Sequence, residues 1–177
     1  MDNSTVYIRE WTPADNGMLM SVWFETGMST NLVPEEGMRK FYPIMRHKLL
    51  PKWEKHVAVS GTQLVGYIAL EGNFVNGLFV LPEFQGRGIG RRLLDRAVQI
   101  HGPLRVSVYS NNTKAKEFYE KYGFEGTEER HEPDFDLMEW IMEMPSAPSS
   151  QEQQNFTNLS NESRNPTLPT SNGSTGR

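Results

Sequence analysis

The apolar positions of the chain follow two rhythms. Over residues 5–9 they alternate weakly with polar ones, which predicts a short first strand. Met18, Met20, Val22, Trp23 and Phe24 then follow Asp15, a residue suited to capping a helix. A second helical stretch follows Pro34, with Met38, Phe41, Ile44, Met45 and Leu49 at helical spacing, and Pro51 ends it. Strands over 56–60 and 63–71 flank a hairpin turn at Gly61-Thr62. Gly72-Asn73 makes the next turn, and 74–81 is the third strand of a meander. Gly77 inside that strand predicts a bulge or a close backbone approach. A loop over 82–90 leads to a helix over 89–100, with Leu93, Leu94, Ala97 and Val98 on its inner side. A strand over 104–109 follows. The next helix, 112–122, carries Ala115, Phe118, Tyr119 and Tyr122 at i, i+3, i+4 and i+7 and closes at Gly123. Stretches 124–131 and 135–144 read as a final antiparallel pair. The order is β-α-α-β-β-β-α-β-α-β-β, a mixed α/β fold in which only the central β-loop-α-β unit needs a parallel crossover.

Composition limits the functions this order can serve. Of the 33 residues over 145–177, 23 are Ser, Thr, Asn, Gln or Pro. Such a segment buries too little apolar surface to offset its ordering entropy, so a disordered tail is expected there and one domain over 1–144. The tail's charges, Glu152, Glu162, Arg164 and Arg177, cancel, so the net charge of −4 belongs to the domain. No basic field calls for a nucleic-acid partner. The absence of cysteine excludes a Cys nucleophile and a thiolate metal site, and suits a reducing compartment. No run is apolar enough for a membrane span, and the first residues lack the pattern of a secretory signal, so a cytoplasmic location is expected. His47, His56, His101 and His131 have no metal-ligand spacing, and no metal is expected.

The stretch from Leu78 to Leu94 holds the most chemistry. A strand stopped by Pro82 feeds a loop with Gly86, Gly88 and Gly90 that opens a helix. Glycines there let several N–H groups face one concavity, and the helix mouth adds unpaired donors and partial positive charge. That is a site for a phosphate or pyrophosphate, with Arg87, Arg91 and Arg92 at its rim. No Gly-Lys-Ser/Thr follows, so it is not a nucleoside-triphosphate loop, and by spacing alone a plain tight turn fits as well.

Gln85-Gly-Arg-Gly-Ile-Gly90 resembles the Q/R-x-x-G-x-G/A signature of the GCN5-related N-acetyltransferase family, with Val80-Leu-Pro82 in the usual place before it. The segment from Asn112 to Phe124 resembles the same family's N-x-x-A-x-x-F-Y-x-x-x-G-F helix. The likeness covers about residues 5–144 and looks closest to small bacterial acetyltransferases, some of which modify protein lysines. It implies acetyl-CoA as cosubstrate, lying in a V-shaped opening between the two central parallel strands. It also implies that the main chain of Phe79 and Val80 pairs with the pantetheine arm. The amides of Gln85, Gly86, Arg87, Gly88, Ile89 and Gly90, with Arg91, would hold the pyrophosphate, and Asn112 would bond near the arm. Tyr119 matches the position of the general acid that protonates the departing thiolate, although an aromatic at that spacing also fits a core. The Val80 amide would stabilise the oxyanion. Many relatives carry a Glu base on the strand before the loop; here that strand has no acid. Glu71, at the end of the previous strand, is the nearest candidate, beside a water chain or an amine delivered neutral.

The resemblance places acceptor specificity at 25–36 and 131–139. Glu35, Glu36, Glu128, Glu129, Glu132, Asp134 and Asp136 bias these regions toward a cationic amine. Trp23, Phe24 and Phe41 fit core positions there, and Lys114, Lys116 and Lys121 fit a solvated helix face. The expected activity is direct acetyl transfer to a primary amine, on a protein lysine or a small molecule, by a monomer or homodimer. The alternative is a non-catalytic acyl-CoA-binding module.

Overall fold

A computed structural model of the protein describes residues 5–146. The tail expected over 145–177 lies, from residue 147 on, outside the described residues. The predicted order of elements is the observed one: β1 (Val6–Glu10), α1 (Asn16–Thr30), α2 (Glu35–Ile44), β2 (Glu54–Ser60), β3 (Gln63–Glu71), β4 (Phe74–Val80), α3 (Ile89–His101), β5 (Arg105–Tyr109), α4 (Thr113–Tyr122), β6 (Glu125–Glu132) and β7 (Leu137–Glu143). The strands form one seven-stranded sheet in the order β1-β2-β3-β4-β5-β7-β6.

Alternation along β3 shows why the sheet is covered on both faces. Ile68 and Leu70 pack with Leu93, Leu94 and Ala97 of α3 and Tyr119 of α4. Tyr67 and Ala69, pointing the other way, pack with Leu19, Met20 and Trp23 of α1 and Met38 of α2. The second predicted helix is interrupted. Pro43 has no N–H to donate, and the chain widens into a π turn over Met45–Leu49, where the Met45 N–H reaches the carbonyls of both Phe41 and Tyr42.

The decisive irregularity is in β4. Ala69 pairs with Gly77 but Leu70 pairs with Val75, so Asn76 is an extra residue, a bulge. Parallel pairing of β4 with β5 holds only at Phe74–Arg105 and Val75–Val106 and stops just before that bulge. Beyond it the strands diverge and leave a fork. Gly77 is required at the bend, because a Cβ there would lie 2.2 Å from the Phe79 ring.

Asp15 does not cap α1 with its side chain. Its carboxylate turns back to accept from both guanidinium nitrogens of Arg9 (2.8 and 2.9 Å) and from the Thr12 amide (2.7 Å), tying β1 to the first helix. The Arg9 hydrogen bonds hold the buried carboxyl well below its ordinary range, at about 2. A depressed carboxyl stabilises the fold above its unfolded pKa, and that contribution is lost as pH falls from about 4 toward 2. Asp15→Asn should therefore cost about 2 kcal/mol in chemical denaturation at neutral pH. The gap to the parent protein should close as the pH is lowered through that window.

Candidate active site

The fork exposes main chain whose direction is set by register. The Leu81 N–H donates to the Val65 carbonyl at 2.9 Å. Bonded and non-bonded pairs alternate along an antiparallel ladder, so Tyr67–Phe79 is a bonded pair while Gly66–Val80 and Ile68–Leu78 are not. The main-chain groups of Leu78 and Val80 thus face away from β3 into the fork. Those of Phe79 face β3 and are spent there. The expectation that Phe79 offers its backbone to a ligand is corrected by this parity: the residue whose backbone faces the fork is Leu78. The Phe79 side chain lines the smaller cavity described below.

At the upper end of β4 the chain passes through a 3-10 turn, Pro82–Phe84, into the glycine loop. The Gln85 N–H is committed to the Pro82 carbonyl at 3.2 Å, so it is not part of a free cradle as expected. From residue 86 to residue 91 no main-chain N–H donates to another group among the described residues. The next donor is the Arg92 N–H, to Gly88. Gly86 and Gly88 hold φ of +74° and +76°, values that aim these amides to one side, and no atom lies within 4 Å of where their Cβ atoms would be. Gly90 serves packing, since a Cβ there would come 3.3 Å from the Phe118 ring and press α3 off α4. Ile89 anchors the helix start in the core.

The side chains around this cradle are partly as expected. Gln85 donates from Nε2 to the Val80 carbonyl (2.9 Å) and accepts from Lys114 Nζ at Oε1 (2.8 Å), so it clamps strand, loop and α4 together. Arg91 lines the cleft. Arg87 instead folds back on the Glu83 carbonyl, and Arg92 bonds the Val6 carbonyl. The cleft's second cation is Lys114, which sequence reading assigned to a solvated face. Asn112 caps α4 by accepting from the Ala115 N–H at 3.2 Å.

Two cavities meet at the fork. The larger, about 870 Å³, runs along the glycine loop and α4; its charged lining residues are Arg91 and Lys114, with no carboxylate. The smaller, about 340 Å³, lies on the α1–α2 face; its charged lining residues are Glu132, Asp134 and Glu139, with no cation. Tyr119, Leu78 and Asn112 line both. Tyr119 is 6% exposed, packed edge-on against Phe118 and Phe124 with ring centroids at 5.2 Å, and burial pushes its hydroxyl pKa up. It is a core residue and a cavity residue at once. So are Trp23 and Phe41, which line the smaller cavity.

Glu71 is not brought to this site. It is exposed, pairs with Phe74 at the closed end of the fork, and lines neither cavity. The six residue steps from Phe74 to Val80 put it about 20 Å along the strand from the loop. Glu35 and Glu36 are paired with Arg39 and Lys40, and Asp136 with His131, outside the cavity. The carboxylate that sequence reading missed is Glu139, 4% exposed, with Oε1 accepting from Arg130 Nε at 2.7 Å. Its signal was alternation, which sets Glu139 on the same face of β7 as Leu137 and Ile141.

A forked central strand pair beside an unpaired amide cradle defines the acyl-CoA N-acyltransferase class. The Acetyltransferase (GNAT) domain profile matches residues 30–137, and the chain belongs to that family. It is an N-acetyltransferase that takes its acetyl group from acetyl-CoA and passes it to an amine. It is 29% identical over 140 residues to the peptidyl-lysine N-acetyltransferase YiaC of Escherichia coli K12, a match covering 78% of this chain and 96% of that protein. It is 28% identical over 123 residues to the peptidyl-lysine N-acetyltransferase YjaB of Salmonella typhimurium, covering 69% and 85%. The apo solution structure of YjaB from Escherichia coli superposes with a TM-score of 0.70 at 24% identity, covering 81% of this chain and 99% of that one.

The cradle depends on how closely β3 and β4 approach. A Cβ at Gly66 would fall 2.7 Å from the Phe79 carbonyl oxygen and 3.2 Å from the Val80 Cα, both backbone atoms. Gly66→Ala should destabilise the protein by about 1–3 kcal/mol, the range for overpacking. Because the shift falls at Val80, calorimetry should also show weaker acetyl-CoA binding.

Proposed function

We propose that this enzyme acetylates the ε-amine of protein lysines in the cytoplasm, acting as a monomer or homodimer. The observation that carries the reading is the division of charge between the two cavities that meet at Tyr119. One offers unpaired amides, Arg91 and Lys114 to an anion; the other offers three carboxylates to a cation. The first suits the pyrophosphate of acetyl-CoA. The second suits a cationic acceptor, with Trp23 and Phe41 as the wall for its methylenes. The names of the relatives YiaC and YjaB support lysine as the acceptor class.

Acetyl-CoA supplies the thioester that the amine attacks. This chain's residues do the rest by position. The Leu78 N–H, directed into the fork where the cavities join, is the donor for the developing carbonyl charge, in place of the Val80 amide. The Val80 N–H and the amides of residues 86–91 hold the pantetheine arm and the pyrophosphate. Tyr119 keeps its proton at Oη across the physiological range, because burial raises its pKa, and gives it to the departing sulfur. No carboxylate stands on β4 to take the amine's proton, so that proton leaves through water in the acidic cavity.

Release of free CoA with lysine peptides tests the reading. Tyr119→Phe should lower kcat at least about tenfold while the acetyl-CoA Kd stays nearly unchanged. Unaltered kcat would remove Tyr119 from proton transfer.

A further inference from the structure

The acidic side of the smaller cavity does not coincide with the fork. Glu139 stands on β7, directly across from Tyr109 at the end of β5. The reacting nitrogen belongs at Leu78 and Tyr119, on the far side of β5 and across the open fork. One strand spacing plus the widened fork puts Glu139 on the order of 10 Å from that point, measured between strands. One ammonium cannot occupy both places. The carboxylates nevertheless converge: burial, together with the charges of Glu132, Glu139 and Asp134, raises the Tyr109 phenol pKa. Glu132 is held by the amides of Asp134 and Phe135 (2.9 and 3.0 Å), which fixes it over the cavity's rim. Arg130 engages Glu139 Oε1 and leaves Oε2 without a partner among the described residues.

One further group, on the wall this cavity shares with the larger one, is open to a cation's N–H. Thr26 is 9% exposed and lines it, yet its Oγ1 has no hydrogen-bond partner among the described residues. Unmade bonds of this kind are costly unless a ligand completes them.

From this geometry we infer that the enzyme selects acceptors bearing a second positive charge, held by Glu139 with Asp134 and Glu132 while the reacting amine sits at the fork. The inference rests on the lysine reading above and narrows it to lysines with a basic neighbour in sequence. The same chemistry could come from the second amine of a small diamine, and the test separates the two.

Two acceptor pairs are compared: a lysine peptide with Arg beside the lysine against one with Ala, and a linear diamine against the monoamine of equal length. The native enzyme should favour the Arg peptide in kcat/KM by about tenfold or more, and added salt should shrink the preference. E139Q should reduce the ratio to below about threefold. D134N, at an exposed turn, should move it the same way by less. Should E139Q fail to fold, the native ratio, its salt dependence and the D134N ratio decide the matter. Brisk turnover of both peptides at a ratio near one overturns this inference and leaves lysine acetylation standing. A preference seen with the diamine pair, with neither peptide turned over, supports the second-charge site but overturns the lysine reading. A ratio untouched by E139Q removes Glu139 from acceptor selection.

Discussion

The arrangement of this enzyme depends on one extra residue in one strand. With Asn76 inserted, β4 cannot stay parallel and paired with β5, and the ladder stops after Val75. Without the bulge the two strands would zip along their length. The Leu78 and Val80 main-chain groups would then be spent on β5, and Tyr119 would be sealed behind a continuous sheet. With it, the sheet has an opening at its centre, where a thioester can lie between groups from both faces. The neighbouring glycines serve the same constraint: Gly77 makes room for the Phe79 ring, and Gly66 lets β3 follow the bend closely.

The opening would be useless if its two sides were alike. On the α3–α4 side the unpaired amides of a helix mouth, with Arg91 and Lys114, form an anion site of fixed dipoles. On the α1–α2 side Glu132, Asp134 and Glu139 line an acidic cavity walled by aromatic rings, the proposed cation site. In the proposed function the two substrates are therefore sorted by charge before they meet. Gln85 ties the halves of the anion site together, because its carboxamide bridges the Val80 carbonyl and the Lys114 ammonium. It acts through its side chain and not, as the loop motif suggested, through its amide.

Local pattern was enough to read the order of elements, the glycine loop and the α4 motif, because each is written in residues a few positions apart. What stayed hidden depends on pairing between distant segments. Whether Leu78 or Phe79 faces the fork is a matter of strand parity, set by the Val65–Leu81 bond. Glu139 sits opposite Tyr109, and nothing within β7 says that the shared face belongs to a cavity. Lys114 is solvated as read, but its bond to Gln85, 29 residues away, also sets it beside the cleft. Glu71 failed for the complementary reason: nearness in sequence to β4 placed it at the closed end of the fork. Asp15 chose a guanidinium over a helix end, since a charged bidentate partner is worth more than one capping amide.

Tyr119 shows why core and catalytic assignments need not compete. Its ring fills the space between Phe118 and Phe124, and the Gly123 and Phe124 amides bond its carbonyl, so the residue is fixed from both ends. That immobility sets the hydroxyl at the junction of the two cavities without ordering cost at each turnover. The burial that fixes it also raises its pKa, which in the proposed reaction keeps the proton in place until the departing thiolate forms beside it. A more exposed tyrosine would be a stronger acid but a poorly aimed one. In a reaction whose leaving group appears only in the transition state, position matters more than intrinsic acidity. In the proposed reaction the hydrophobic packing around Tyr119 is thus part of the chemistry, and the α4 motif would join core-forming and reacting residues for that reason.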